Sequence, residues 1–106
     1  MLDLGFGFTF AGSEKRIKVG NNYRYIDLVF FNVELDCYVL MELKINKLDI
    51  RDIGQLEFYI TYYDTEIKKP HHDPTIGVIL CKKNDEDILK YQNNGNLLVS
   101  SYEFID

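Results

Sequence analysis

Asp27, Glu42 and Lys44 lie within YIDLVFFNVELDCYVLMELK, residues 25–44, an almost unbroken apolar run. Two carboxylates and an ammonium among core-type residues can hold a hard cation or form a buried ion pair, and either use requires them to be close together. Side chains alternate faces along a strand, so Glu42 and Lys44, two apart, share a face with Tyr38 and Leu40, while Val39, Met41 and Leu43 line the other. Asp27 shares its face with Tyr25, Val29 and Phe31, and Ile26, Leu28 and Phe30 line the reverse. If the chain turns back symmetrically about Glu34 and Leu35, paired residue numbers sum to 69 and Asp27 stands directly opposite Glu42. Their Cβ atoms are then about 4.5–5.5 Å apart.

Facing carboxylates in a partly apolar site repel, and desolvation adds to the penalty, so something positive is needed beside them. Lys44 could supply it as a structural ion pair. Alternatively a divalent cation could. Magnesium favours one or two carboxylates, a carbonyl and several waters, with substrate phosphate completing its shell. The geometry leaves both readings open.

Other chemistry-bearing residues are weaker candidates. His71 and His72 in PHHDP could ligate a metal or act as a general base, but adjacent histidines in a loop between a helix and a strand are more simply read as exposed. Gly5 and Gly7 lack the preceding strand and following helix start that a dinucleotide-binding turn requires. Cys37 and Cys81 each sit in a strand-like apolar run, where a free cysteine acts as a small buried hydrophobe.

The elements that must position these groups follow from pattern. The opening MLDLGFGFTFAGSEK reads as the tail of an element followed by a turn, RIKVG as a short strand, and Asn21 and Asn22 as a turn into YRYIDLVFF. With CYVLMELK this last segment forms a hairpin. From Asp49 or Asp52 to about Lys69, Ile53, Leu56, Ile60, Tyr63 and Ile67 recur at helical spacing, and Pro70 ends the helix. FYITYY is a packing stretch in which Tyr59 or Tyr62 could face a partner subunit of a homodimer. TIGVILC reads as a strand covered on both faces, NDEDILKYQNNG as a short capped helix and LLVSSYEF as a last strand. The order β-β-β-α-β-α-β defines an α/β domain with a mixed sheet flanked by helices.

At 106 residues the chain is read as one domain, residues 1–106. Its 12 basic and 17 acidic residues give a formal charge of −5, which argues against bulk electrostatic gripping of nucleic acid and leaves local clusters such as Lys15, Arg16 and Lys18. No run of about 18 uncharged apolar residues and no signal-peptide pattern is present, so the expectation is a cytoplasmic protein with no membrane partner.

Over LGFGFTFAG, YIDLVFFN, CYVLMELK, GQLEFYI and DPTIGVILCK the chain resembles the PD-(D/E)xK nuclease superfamily, and within it the bacterial YhcG-like nucleases. The resemblance implies a restriction-endonuclease-like fold and metal-dependent hydrolysis of phosphodiester bonds in nucleic acid, with DNA as the substrate. Asp27 matches the acid of the motif's first half, with Ile26 where the family's proline stands, and Glu42 and Lys44 match its second half. Asp27, Glu42 and the Leu43 carbonyl would hold one or two Mg2+ (or Mn2+) ions, and Lys44 would serve the attacking water. Gln55 matches a glutamine beside the metal in relatives, although Asp52-x-x-Gln55 could instead be a capping box. The first helix of the fold is largely missing, with only MLDL in its place, so the chain is expected to be a C-terminal fragment lacking an N-terminal domain. The alternative function is a catalytically weak or inactive nuclease-fold module for nucleic-acid binding or oligomerisation.

Overall fold

A computed structural model of the chain describes residues 7–82 and 95–102. Five strands form one sheet in the order β1-β2-β3-β4-β5: β1 Phe8–Val19, β2 Asn22–Asn32, β3 Cys37–Leu43, β4 Ile76–Lys82 and β5 Leu97–Tyr102. β1, β2 and β3 pair antiparallel, whereas β3, β4 and β5 are parallel. Parallel neighbours need a crossover, and α1, Ile50–Tyr62, continued by a π-helical stretch Tyr63–Ile67, supplies it between β3 and β4. The helix predicted over residues 84–94 lies outside the described residues.

The hairpin β2–β3 pairs Val29 with Leu40 and Phe31 with Tyr38, in the register predicted from the sequence. The first strand is longer than expected. It begins at Phe8 rather than Arg16, because the alternating Gly and Phe residues pair with the end of β2 instead of turning. A bulge between Phe10 and Gly12 absorbs the irregular glycine spacing.

The helix lays Ile53, Leu56 and Tyr59 on Val29, Leu40, Ile79 and Leu97, forming the larger of two buried clusters. It comes so close that a Cβ at Gly77 would lie 2.7 Å from Ile60 Cδ1 and 2.9 Å from Leu56 Cδ2. That approach requires glycine on β4. Phe30, Cys37 and Val39 form the second cluster on the reverse face. Both cysteines are free and buried, and burial pushes the Cys37 thiol up.

Ile26 corrects the predicted alternation. It joins Val29 in the helix-side cluster, although the two are three residues apart. The break falls at Asp27, opposite the one place where β1 turns left-handed, Glu14 with φ +47°.

Candidate metal and active site

The antiparallel ladder of β2 with β3 ends at Leu28 and Met41, one step before Asp27 and Glu42. Beyond that step β3 stays with β4, where the Lys44 N–H donates to the Leu80 carbonyl at 2.8 Å. The Leu43 N–H, facing the side that β2 has left, donates to Asp27 Oδ2 at 2.9 Å. Asp27 therefore takes over a hydrogen bond that the ladder no longer makes, and this holds its carboxylate against Glu42.

Glu42 is half-buried, and its Oε1 has no hydrogen-bond partner. Its carboxyl is pushed up to about 8, first by burial and then by hydrogen bonding to and the charge of Asp27, with a backbone hydrogen bond at Asp27 acting the other way and Asp52 adding further negative charge. The fold thus favours the protonated form of Glu42 in the absence of a cation. An acceptor oxygen left without a partner beside a second carboxylate suits a hard cation, which would displace that proton.

Asp52, Gln55 and Tyr59 form one stripe of α1 facing this end of β3. Glu42, Leu43, Lys44, Asp52, Gln55 and Ile79 line a pocket of about 160 Å³. Lys44, Asp52, Gln55 and Tyr59 also border a larger cleft of about 700 Å³ with Arg24, Lys47, Arg51 and Phe58. Asp27 is outside the lining of both.

Lys44 Nζ donates to Asp52 Oδ1 at 3.1 Å, tying the end of β3 to the first helical turn. The capping box is Asp49 with Asp52: Asp49 Oδ1 accepts from the Arg51 N–H at 2.9 Å, and Asp52 Oδ2 accepts from the Asp49 N–H at 2.8 Å. Gln55 has no part in the cap, against the capping reading of Asp52-x-x-Gln55. Its Nε2 donates to the Tyr59 hydroxyl, which leaves Oε1 as an acceptor.

Tyr59 packs into the core, as expected of the FYITYY stretch, and not outward as its alternative allowed. It is 1% exposed, so it cannot face a partner subunit, and its hydroxyl is raised by burial and by the charges of Glu42 and Asp27. Its signal was the four-residue spacing from Gln55.

The histidines meet elsewhere, at the turn of the β2–β3 hairpin. Asp36, His71 and His72 bring ligand atoms within 4.8 Å of one another. His72 is not the exposed loop residue expected, since it packs edge-on against Phe31 and Tyr38. Its Nδ1 accepts from the Lys69 N–H at 3.1 Å, so in the neutral ring Nε2 carries the proton, and Asp36 Oδ1 lies 4.0 Å from that nitrogen. A metal-bound histidine needs the opposite arrangement, with its second nitrogen donating.

A repair endonuclease from Pyrococcus abyssi superposes with a TM-score of 0.59 at 17% identity over 92% of this chain and 39% of that one. An EndoMS–dsDNA complex superposes at 0.58, also 17% identical, over 92% of this chain and 37% of that one. The sheet is thus the restriction-endonuclease-like α/β fold. The YhcG PDDEXK nuclease domain model matches residues 1–105, and the chain belongs to that family. It is 32% identical over 106 residues to the "Putative nuclease YhcG" of Escherichia coli (strain K12), covering 97% of this chain and 28% of that protein's length.

Proposed function

We propose that this domain is a metal-dependent endonuclease that hydrolyses phosphodiester bonds in DNA at the Glu42 pocket. The observation that carries the reading is the partnerless, half-buried Glu42 oxygen beside Asp27, in a pocket that Lys44 and Gln55 also line. Asp27, Glu42 and the Leu43 carbonyl would hold Mg2+ or Mn2+, which supplies a more acidic water and stabilises phosphate charge.

The chain's own residues do the rest. Gln55, held by the Tyr59 hydroxyl, offers Oε1 to the attacking water. Lys44 neutralises charge on the non-bridging phosphate oxygens and orients that water, its ammonium steadied by Asp52. The water oxygen bonds to phosphorus as the bond to the leaving ester oxygen breaks. One water proton is lost to solvent, and the leaving oxygen gains one. Membership of a nuclease family and the likeness to endonuclease folds support this assignment.

A second reading, a nuclease-fold module with weak or lost chemistry, is favoured by the Lys44–Asp52 ion pair, which gives Lys44 a structural role of its own. One assay separates the two. Single-stranded, duplex and branched DNA and RNA are incubated with the chain, with and without Mg2+ or Mn2+, beside Asp27→Asn. Cleavage that needs the metal and disappears in Asp27→Asn is expected. Substrates that stay intact with the parent chain and either metal, while still being bound, would establish the second reading.

A further inference from the structure

The outer part of the β1–β2 hairpin carries an unusual composition for this acidic chain. KRIKVGNNYRYI, residues 15–26, has four basic residues and no acidic one, in a protein of formal charge −5. The ladder sorts them by face. Ile17 and Ile26 turn toward α1 and are buried there. Arg16 pairs with Tyr25, and Lys18 with Tyr23, on the opposite face. Tyr23 and Tyr25 are 51% and 55% exposed, and the Arg16 guanidinium lies over the Tyr23 ring, 4.6 Å from its centroid.

We infer that this face is a docking surface for unpaired nucleotides of the substrate, with bases stacking on Tyr25 and on the side of the Tyr23 ring away from Arg16, and phosphates meeting Arg16 and Lys18. Rings two residues apart on one strand face give successive flat apolar surfaces, and the paired cations supply charge complementary to a phosphate backbone. A buried core would leave neither ring half exposed. Paired bases in a blunt duplex hide their faces in their own stack, so the surface discriminates in favour of single-stranded or flapped nucleic acid. The inference rests on nucleic acid being the substrate of the Glu42 pocket, and it adds which form of substrate the chain selects.

The test is binding without cleavage. Fluorescence anisotropy of labelled DNA in EDTA compares a blunt duplex with the same duplex carrying a single-stranded oligothymidine flank. The parent chain should bind the flanked duplex more tightly. Tyr23→Ala with Tyr25→Ala should lose about tenfold in affinity per ring on the flanked duplex, and little on the blunt one. Tyr23→Phe with Tyr25→Phe should keep the preference, since the ring and not the hydroxyl stacks.

A parent chain without the preference overturns the inference whatever the variants do, as does an equal loss on both substrates. Sedimentation velocity showing a dimer that the alanine pair converts to monomer would assign the face to a second copy of the chain instead. Because no step requires hydrolysis, the flank preference with no cleavage under any metal would count against the Glu42 pocket alone. Metal-dependent cleavage without the preference would count against this surface alone.

Discussion

The two ends of the β2–β3 hairpin each gather acids with cationic or imidazole groups, yet they are built differently. At the turn, polar groups are partnered within the chain. Asn32 Oδ1 accepts from the Glu34 and Leu35 N–H groups at 2.9 and 3.0 Å, the Asp36 carbonyl accepts from the Asp73 N–H at 2.9 Å, and the His72 carbonyl accepts from Lys68 Nζ at 3.1 Å. At the open end Glu42 keeps a buried oxygen without a partner, and the charges acting on it, those of Asp27 and Asp52, both push in the costly direction. A satisfied cluster fastens a turn. An unsatisfied one is set up for a ligand the chain does not itself contain.

The sharpest way to break this contrast is Lys44→Ala. If Lys44 serves the attacking water, cleavage should fall by about 10²- to 10⁴-fold. Its ion pair with Asp52 is partly exposed, so the same change should lower stability by no more than about 1 kcal/mol. Initial rates and thermal melts on one preparation check both. A large loss of stability with the cleavage rate intact would make Lys44 a strut.

The next effect is on stability against pH. Folded Glu42 keeps its proton up to about pH 8, whereas the group would ordinarily release it near 4.5. Between those values the folded chain binds more protons than the unfolded one, so metal-free stability should decline as pH rises from about 4.5 to about 8. Glu42 is only half-buried, and solvent screening reduces the effect to a few kcal/mol at most. Urea melts of the parent and Glu42→Gln in EDTA should converge at low pH and separate progressively from about pH 4.5 to about pH 8, with the variant the more stable. Parallel pH profiles would show that Glu42 is not protonated by the fold.

The smallest effect belongs to the turn. His72→Ala removes ring contacts with Phe31 and Tyr38, each worth about 0.5–1.5 kcal/mol, and should lower the melting temperature. It should leave metal response and cleavage rate unchanged. A melting temperature that rises with Zn2+ in the parent and not in this variant would show that the turn binds metal after all.

Much of this was legible in residue spacing. The hairpin register followed from one symmetric turn, because a strand has a period of two and the apolar runs on either side of Glu34 and Leu35 have matching lengths. The helix followed from its apolar spacing, while its start was left between Asp49 and Asp52, because either aspartate can cap a first turn and only their reciprocal bonds identify Asp49 as the cap. The β1 extension did not, since Gly7 and Gly12 carry turn signals locally and pairing with Phe30, Phe31 and Asn32 overrides them. The parity break at Asp27 was hidden because it lies across the ladder from a left-handed residue, Glu14, that no local pattern marks. Lys44 and Glu42 were readable as sharing a face, but whether the ammonium turns to the carboxylates or to Asp52 depends on how the helix docks. Tyr59 was obscured by the surrounding run of tyrosines, any of which could have filled the core.

Calorimetric titration of Mn2+ into the metal-free chain at pH 7, repeated in two buffers of different ionisation enthalpy, tests the central claim most directly, because it counts protons released as the ion binds. A cation seated on Glu42 must displace the proton that the fold places there, so about one proton per bound ion should appear, with binding abolished in Glu42→Gln. Binding that releases no proton, or that survives Glu42→Gln unchanged, would contradict the assignment of Glu42 and Asp27 as the metal-holding pair.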